Sequence, residues 1–200
     1  MTMTDLIYLM RHGESVVNVE RRLTCRNLAG DLTDLGREQA AKAAEWFVDK
    51  GIKRILHSPF HRAEQTTQAV ADRLSLPLEV EDGLREMDCG SFEGRTGEAA
   101  WEAFMEVAFR WRAGDWEATF PGGESYRQGF ERFSRSLHGI TETTLLVTHG
   151  GITATVVPYL CVNAALLQQN NALDNTGIVV LERYDAERYI CRSWNLIDHL

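Results

Sequence analysis

The 200-residue sequence predicts an α/β fold: three layers, a mostly parallel central sheet with helices on both faces, and a helical excursion over the site. Three observations predict it. Short apolar runs alternate with segments of helical periodicity through the first half of the chain. Connections between them are short, and no repeat, low-complexity segment or linker interrupts them. Two of the runs, near the start and near residue 148, end in His-Gly, and open α/β sheets place ligand sites at the carboxyl ends of strands.

The elements follow in order. Residues 6–10, Leu-Ile-Tyr-Leu-Met, read as a buried strand that stops at Arg11-His12-Gly13, where glycine permits a sharp turn and close approach of a ligand. Residues 16–32 have few strongly apolar positions and read as a loop. Thr33 is an N-cap, and Ala40, Ala43, Ala44, Phe47 and Val48 keep helical spacing until Gly51 ends the helix. Ile52 to His57 is a second strand. Ser58-Pro59 then supplies a cap and first-turn proline for a helix through about Leu74, and residues 78–80 are a third strand. From about 85 to 137 the pattern changes to the excursion: a loop from Leu84 to Gly90, then a helix over 98–112 with Trp101, Phe104, Met105, Ala108 and Phe109 on one face. A turn at Pro121-Gly122-Gly123 and a helix from Glu124 to Leu137 complete it. Thr144 to Thr148 is the next strand, ending at His149-Gly150-Gly151, and a helix carries Ile152, Val156, Val157 and Leu160. Gly177 to Tyr184 and Arg188 to Trp194 are strands joined by a turn at 185–187. Residues 1–200 are expected to form one domain.

Composition narrows the function. Apolar content of 44% and charged content of 25% are those of a globular chain. A net charge of −8 leaves no basic excess for nucleic acid or an anionic membrane, while a few arginines can still form a local anion pocket. The polar start, Met1 to Asp5, does not read as a secretory leader, and no apolar stretch reaches membrane-spanning length. Cys25, Cys89, Cys161 and Cys191 are widely spaced with no Cys-x-x-Cys pair, so they are expected to be reduced thiols of a cytoplasmic protein.

The two His-Gly strands carry the chemistry. If they are neighbours in the sheet, His12 and His149 meet above its carboxyl edge. Ser-Pro-Phe-His-Arg-Ala places Arg62 in the first turn of a helix, where the dipole and free N–H groups already favour an anion. Arg11 and Arg62 add planar, permanently charged forks suited to phosphate oxygens. This is a phosphoryl site that needs no metal.

At this point the residues match a family. The chain resembles the histidine phosphatase superfamily, also called phosphoglycerate mutase-like, over nearly its whole length. The signature Arg-His-Gly-Glu-Ser stands at 11–15 with Asn18 downstream, Asp31-Leu-Thr…Gln-Ala at 31–40, and Ser58-Pro-x-x-Arg-Ala-x-Gln-Thr at 58–66. Leu84-x-Glu…Gly94, Pro121-Gly-Gly-Glu-Ser125 and Val147-Thr-His-Gly-Gly151 complete the order. The resemblance implies that His12 is the nucleophile, forming a phosphohistidine. It implies that Arg11, Arg62 and His149 hold the non-bridging oxygens, that Asn18 adds a phosphate contact, and that Glu86 is the proton donor. It implies no cofactor, no metal and a small phosphorylated substrate.

Other acids and histidines compete for these roles. Glu14, beside the nucleophile, is expected to orient its loop, and Asp88 and Glu93 are further candidates for the acid. His57 is expected to be packed, His61 to reach the pocket rim, and His138 and His199 to be surface or terminal. A metal held by His12, His149 and Glu86 is disfavoured by the adjacent arginines. The sequence departs from the commonest family pattern at Cys25, and Cys89 follows the acid; both are expected to be small fillers, sensitive to oxidation only if exposed. The chain is short, and Arg95, Arg110 and Arg112 are the only cations between 95 and 120, which favours a phosphatase over a mutase. Trp101, Trp111 and Trp116 are expected to cover the site, which favours small esters over phosphoproteins.

Overall fold

A computed structural model describes residues 5–26, 30–164 and 172–200. Residues 1–4 of the polar start and 27–29 of the expected loop lie outside them. The strands are β1 (Leu6–Arg11), β2 (Arg54–His57), β3 (Leu78–Val80), β4 (Thr144–Thr148), β5 (Ile178–Arg183) and β6 (Tyr189–Leu196). The helices are α1 (Val16–Val19), α2 (Asp34–Phe47), α3 (His61–Leu74), α4 (Glu98–Arg112), α5 (Tyr126–His138) and α6 (Gly150–Leu160). The sheet order is β3-β2-β4-β1-β5-β6. The first four strands are parallel, and β5 and β6 add an antiparallel pair at one edge. The mostly parallel sheet is therefore as expected, and β1 and β4 are hydrogen-bonded neighbours in register Arg11 to Thr148.

Alternation along β1 divides the core in two, because successive strand residues point to opposite faces. Tyr8 and Met10 pack with Ala43, Ala44 and Phe47 of α2 and Ala63 and Val70 of α3. Ile7 and Leu9 face the other layer, with Phe133 and Leu137 of α5 and Ile152, Val156 and Val157 of α6. Burying a side chain such as Leu9 or Phe133 contributes about 1.5–3 kcal/mol, and both are fully buried.

Four expectations are corrected. The loop after β1 contains the short helix α1. Helix α3 starts at His61 rather than at Pro59: Phe60 is its N-cap with extended backbone, and the Ser58 hydroxyl lies 2.7 Å from His149 Nε2. On α4 the packed face is Phe104, Ala108 and Trp111, while Met105 and Phe109 are exposed. Trp111 is buried in the core, donating to Ala118 O at 2.8 Å, and Trp116 packs on Tyr126 and Tyr159, so of the three tryptophans only Trp101 reaches the site.

Candidate active site

The punctuation at the ends of β1 and β4 converges at the carboxyl edge. The ring centroids of His12 and His149 are 5.2 Å apart, and both imidazoles are buried. The turn after β1 is fixed from three sides. Gly13 N donates to Thr66 Oγ1 at 2.9 Å, His12 N donates to Thr148 O at 3.0 Å, and Asn175 Nδ2 donates to His12 O at 3.1 Å. Glycine is required at position 13, since a Cβ there would lie 2.6 Å from Gly36 O.

Hydrogen bonds decide the His12 tautomer. Nδ1 lies 2.7 Å from Gly13 O, which can only accept, so Nδ1 carries the proton. Nε2 then holds a lone pair and accepts from Arg62 Nε at 3.0 Å. Burial first, then the guanidiniums of Arg62 and Arg11, holds this imidazole well below its ordinary 6.5, only partly opposed by the Gly13 hydrogen bond. His149 is pushed the same way by burial, Arg62, His12 and Arg11. Its Nε2 lies 2.7 Å from Ser58 Oγ.

A cleft of about 290 Å3 opens above these groups, with Arg11, His12, Asn18, Arg62 and Glu86 in its wall. Arg11 is anchored through Nη1 on Leu173 O at 2.6 Å, and Arg62 through Nη2 on Thr24 O at 3.0 Å. Yet Arg11 Nε, Arg62 Nη1 and His149 Nδ1 are buried with no hydrogen-bond partner. Buried orphans of this kind are costly; Arg11 and Arg62 stand in the cleft wall, while His149 adjoins His12 and is not among the residues lining the cleft, and cationic and imidazole nitrogens of this kind suit an anion. Burial lowers Arg62 to about 10, against the opposing pull of Glu86 and Glu93, so it is still a cation at neutral pH. Asn18 Oδ1 is occupied by Ser15 N and Ser15 Oγ, at 3.1 and 2.9 Å, which leaves the amide nitrogen for the cleft.

Glu86 faces the same space from the loop after β3. Its carboxylate accepts from Gly151 N at 2.9 Å, Ile152 N at 2.5 Å and Met87 N at 2.9 Å. Thr148 Oγ1 holds the loop to the end of β4 by donating to Leu84 O at 2.7 Å. A Cβ on Gly151 would lie 2.8 Å from both Glu86 oxygens, so the backbone there is built around the carboxylate.

The competing residues are engaged elsewhere. Glu14 accepts from Thr33 Oγ1 at 2.8 Å at the start of α2, Asp88 pairs with Arg26 at 2.7 Å, and Glu93 accepts from Cys25 N and Arg26 N. His57 is buried with Nδ1 on Ser58 O, as expected. His61 is half-exposed, paired with Asp31 and Glu64, and does not line the cleft. His199 is packed rather than free, with Nε2 3.0 Å from Thr176 Oγ1. Ser58, Thr66 and Asn175 hold the site together; Ser58 and Thr66 stand in the motif at 58–66 without a site role assigned to them there, and Asn175 falls in no motif.

Cys25 and Cys89 correct the thiol expectation: they form a disulfide, with Cα atoms 5.8 Å apart. Cys161 and Cys191 are free and buried. Among the described residues the one set whose ligand atoms converge on a metal-sized space is Cys25, Cys89 and Glu93, but there the two sulfurs are bonded to each other.

Comparison with known proteins agrees with this arrangement. The family model of the histidine phosphatase superfamily (branch 1) matches residues 7–197. The chain belongs to that superfamily. It is 32% identical over 176 residues, 86% of each chain, to a Hydrogenobacter thermophilus protein named "Putative phosphoserine phosphatase 2". It is 27% identical over 202 residues, 97% of this chain and 86% of the other, to the Arabidopsis thaliana phosphoglycerate mutase-like protein 4. Among solved structures, the mycobacterial glucosyl-3-phosphoglycerate phosphatase in complex with VO3 superposes with a TM-score of 0.81 at 26% identity, covering 96% of this chain and 98% of that one. This histidine phosphatase is thus an enzyme of the phosphatase type. No helix among the described residues is long and apolar enough to cross a membrane.

Proposed function

We propose that the protein is a metal-independent phosphomonoesterase that hydrolyses a small phosphate ester through a phosphohistidine on His12. The observation that carries this reading is the set of orphaned buried nitrogens on Arg11, Arg62 and His149 beside a neutral His12 whose Nε2 lone pair accepts from Arg62 Nε, a guanidinium that a bound phosphate would draw off it. A phosphate dianion gives all three a partner, and Asn18 adds its amide.

The chemistry follows from the geometry. His12 Nε2 attacks phosphorus as the P–O bond to the alcohol breaks, and the Nδ1 proton on Gly13 O steadies the imidazolium that forms. Arg11 and Arg62 neutralise charge on the non-bridging oxygens, and the neutral His149, its Nε2 accepting from Ser58 Oγ, donates Nδ1–H to them. Glu86 protonates the departing alkoxide, then as carboxylate takes a proton from the water that cleaves the phosphohistidine. Three backbone N–H groups hold its oxygens in place for both steps.

A cleft of about 290 Å3 with Trp101 and Phe104 among its lining residues supports a small ester as substrate. A mutase must also hold a second anionic group. Arg95 stacks on Phe92 at 4.4 Å, Arg110 pairs with Asp115, and neither they nor Arg112 line the cleft; Arg22 does line it, but its guanidinium is engaged by Glu20 at 2.8 Å and by Gly94 O at 3.1 Å, which favours release to water. The net charge of −8 supports a reading without nucleic-acid or membrane partners, and the Cys25–Cys89 disulfide withdraws the reduced-thiol argument for a cytoplasmic location.

The deciding experiment is a panel of phosphate monoesters assayed with and without EDTA, with His12→Ala as control. Turnover that survives EDTA and vanishes in His12→Ala is expected. Full activity in His12→Ala overturns the mechanism, and phosphoglycerate interconversion faster than phosphate release overturns the phosphatase reading.

A further inference from the structure

The disulfide joins two loops that reach the site from opposite sides. Cys25 follows Thr24, whose carbonyl receives Arg62 Nη2 at 3.0 Å, and both Thr24 and Cys25 line the cleft. Cys89 lies three residues beyond Glu86. The bond therefore ties the anchor of a phosphate-binding arginine to the loop of the proton donor, across a sequence separation of 64.

We propose that Cys25 and Cys89 are positioning residues whose bond is opened by a dithiol reductant and whose opening weakens phosphate binding; the proposal rests on the phosphatase reading above.

Packing decides which side yields when the bond opens. Two thiols need van der Waals separation where a disulfide needs only a bond length. Cys89 cannot retreat. It is fully buried, Glu93 Oε2 stands 3.8 Å from its sulfur, and the adjoining Gly90 has a φ of +55° with Pro121 O only 2.4 Å from where a Cβ would sit. Cys25 edges the cleft, so its side moves and takes the Thr24 carbonyl with it. The backbone pairing of Leu23 with Gly94 and Arg95 and the Glu93 bond to Arg26 N keep the loop attached, so the fold survives, while the Thr24–Cys25 peptide, which carries both the Arg62 anchor and the Glu93 bond to Cys25 N, shifts as one unit with Cys25.

The exchange is balanced. A thiolate of the reductant attacks Cys25 Sγ, because Cys25 lines the cleft and is 5% exposed where Cys89 is fully buried, and Cys89 leaves as a thiolate that takes a proton. The reductant's second thiol attacks its own sulfur in the mixed disulfide, and Cys25 leaves in turn. Two electrons pass to the protein and the dithiol becomes a disulfide.

The test compares air-oxidised protein with protein reduced by dithiothreitol, with the state of Cys25 and Cys89 read by alkylation and mass spectrometry. Turnover of p-nitrophenyl phosphate and binding of orthophosphate by calorimetry are both measured. Reduction is expected to raise the orthophosphate Kd about tenfold, the scale of one weakened charged hydrogen bond. It should lower kcat/KM by the same factor through KM, with circular dichroism unchanged and reoxidation restoring both. Cys25→Ser should be indifferent to the reductant, and Cys161→Ser/Cys191→Ser should keep the response. Less than a twofold change on verified reduction, a response retained in Cys25→Ser, or free Cys25 and Cys89 in the oxidised protein each overturns the proposal. Orthophosphate binding reads the latch without turnover, so an oxidised protein that binds phosphate but hydrolyses nothing strikes the phosphatase reading alone.

Discussion

Arg62 Nε donates to His12 Nε2 across 3.0 Å, which places a guanidinium cation against the lone pair of a buried, neutral imidazole. The contact explains how one residue can hold phosphate and keep the attacking nitrogen unprotonated. Nitrogen-15 NMR of the free protein at pH 6.5 should therefore show His12 as the Nδ1–H tautomer. A His12 that titrates at or above its ordinary 6.5 would contradict the geometry.

The same depression sets a pH dependence of stability. His12 and His149 both lie well below 6.5 in the folded protein and return to the ordinary value when unfolded. As pH falls below 6.5 the unfolded chain takes up protons that the native state refuses, so stability present at neutral pH is lost toward acid. For two such groups the slope approaches about 2.7 kcal/mol per pH unit. Urea unfolding between pH 7 and 5.5 should show the slope steepening toward this limit, and His12→Gln should remove roughly half of it. A flat profile would mean that the imidazoles are not refused protons in the fold.

Glu86 serves both half-reactions, and a substrate with a good leaving group separates them. With p-nitrophenyl phosphate the first step needs little acid, so Glu86→Gln should give a burst of nitrophenol near one equivalent followed by slow turnover. The phosphohistidine should accumulate and be trapped by alkaline quench. Steady turnover should fall on the order of 100-fold or more. Gly151→Ala should behave similarly, because its Cβ would displace both Glu86 oxygens. A Glu86→Gln enzyme without a burst would assign the acid elsewhere.

Much of this was legible in the sequence, and the reason is local. Apolar run length marks β1, β2 and β4, and helical period with a Thr33 cap marks α2. His12, Arg62 and His149 are each read from punctuation within a few residues of an element's end. What failed depends on packing between distant segments. The Cys25–Cys89 bond spans 64 residues and leaves no spacing to read, while Ser58 on His149 and Asn175 on the His12 carbonyl join loops 91 and 163 residues apart. The α4 stripe failed for a related reason. Periodicity identifies an apolar face, but the neighbours decide which aromatics are covered, so Trp111 is buried and Phe109 is exposed.

The long loop closed by the disulfide gives one more measurable consequence. Constraining an unfolded chain across 64 residues contributes about 4 kcal/mol by the chain-entropy argument. That contribution is separate from the positioning effect, since it acts on the unfolded state. Reduction should lower the thermal midpoint by roughly 10 °C for a chain of this size, while far-ultraviolet circular dichroism at 25 °C is unchanged. Scanning calorimetry with and without dithiothreitol measures the shift, and Cys25→Ser should start from the lower midpoint and not move. Saturating orthophosphate should raise both midpoints, and raise the oxidised one more, because the tighter-binding state gains more from the same ligand concentration. Equal midpoints for oxidised and reduced protein would mean that the loops are already held by Glu93 and the Leu23–Gly94 pairing in the unfolded ensemble as well as in the fold.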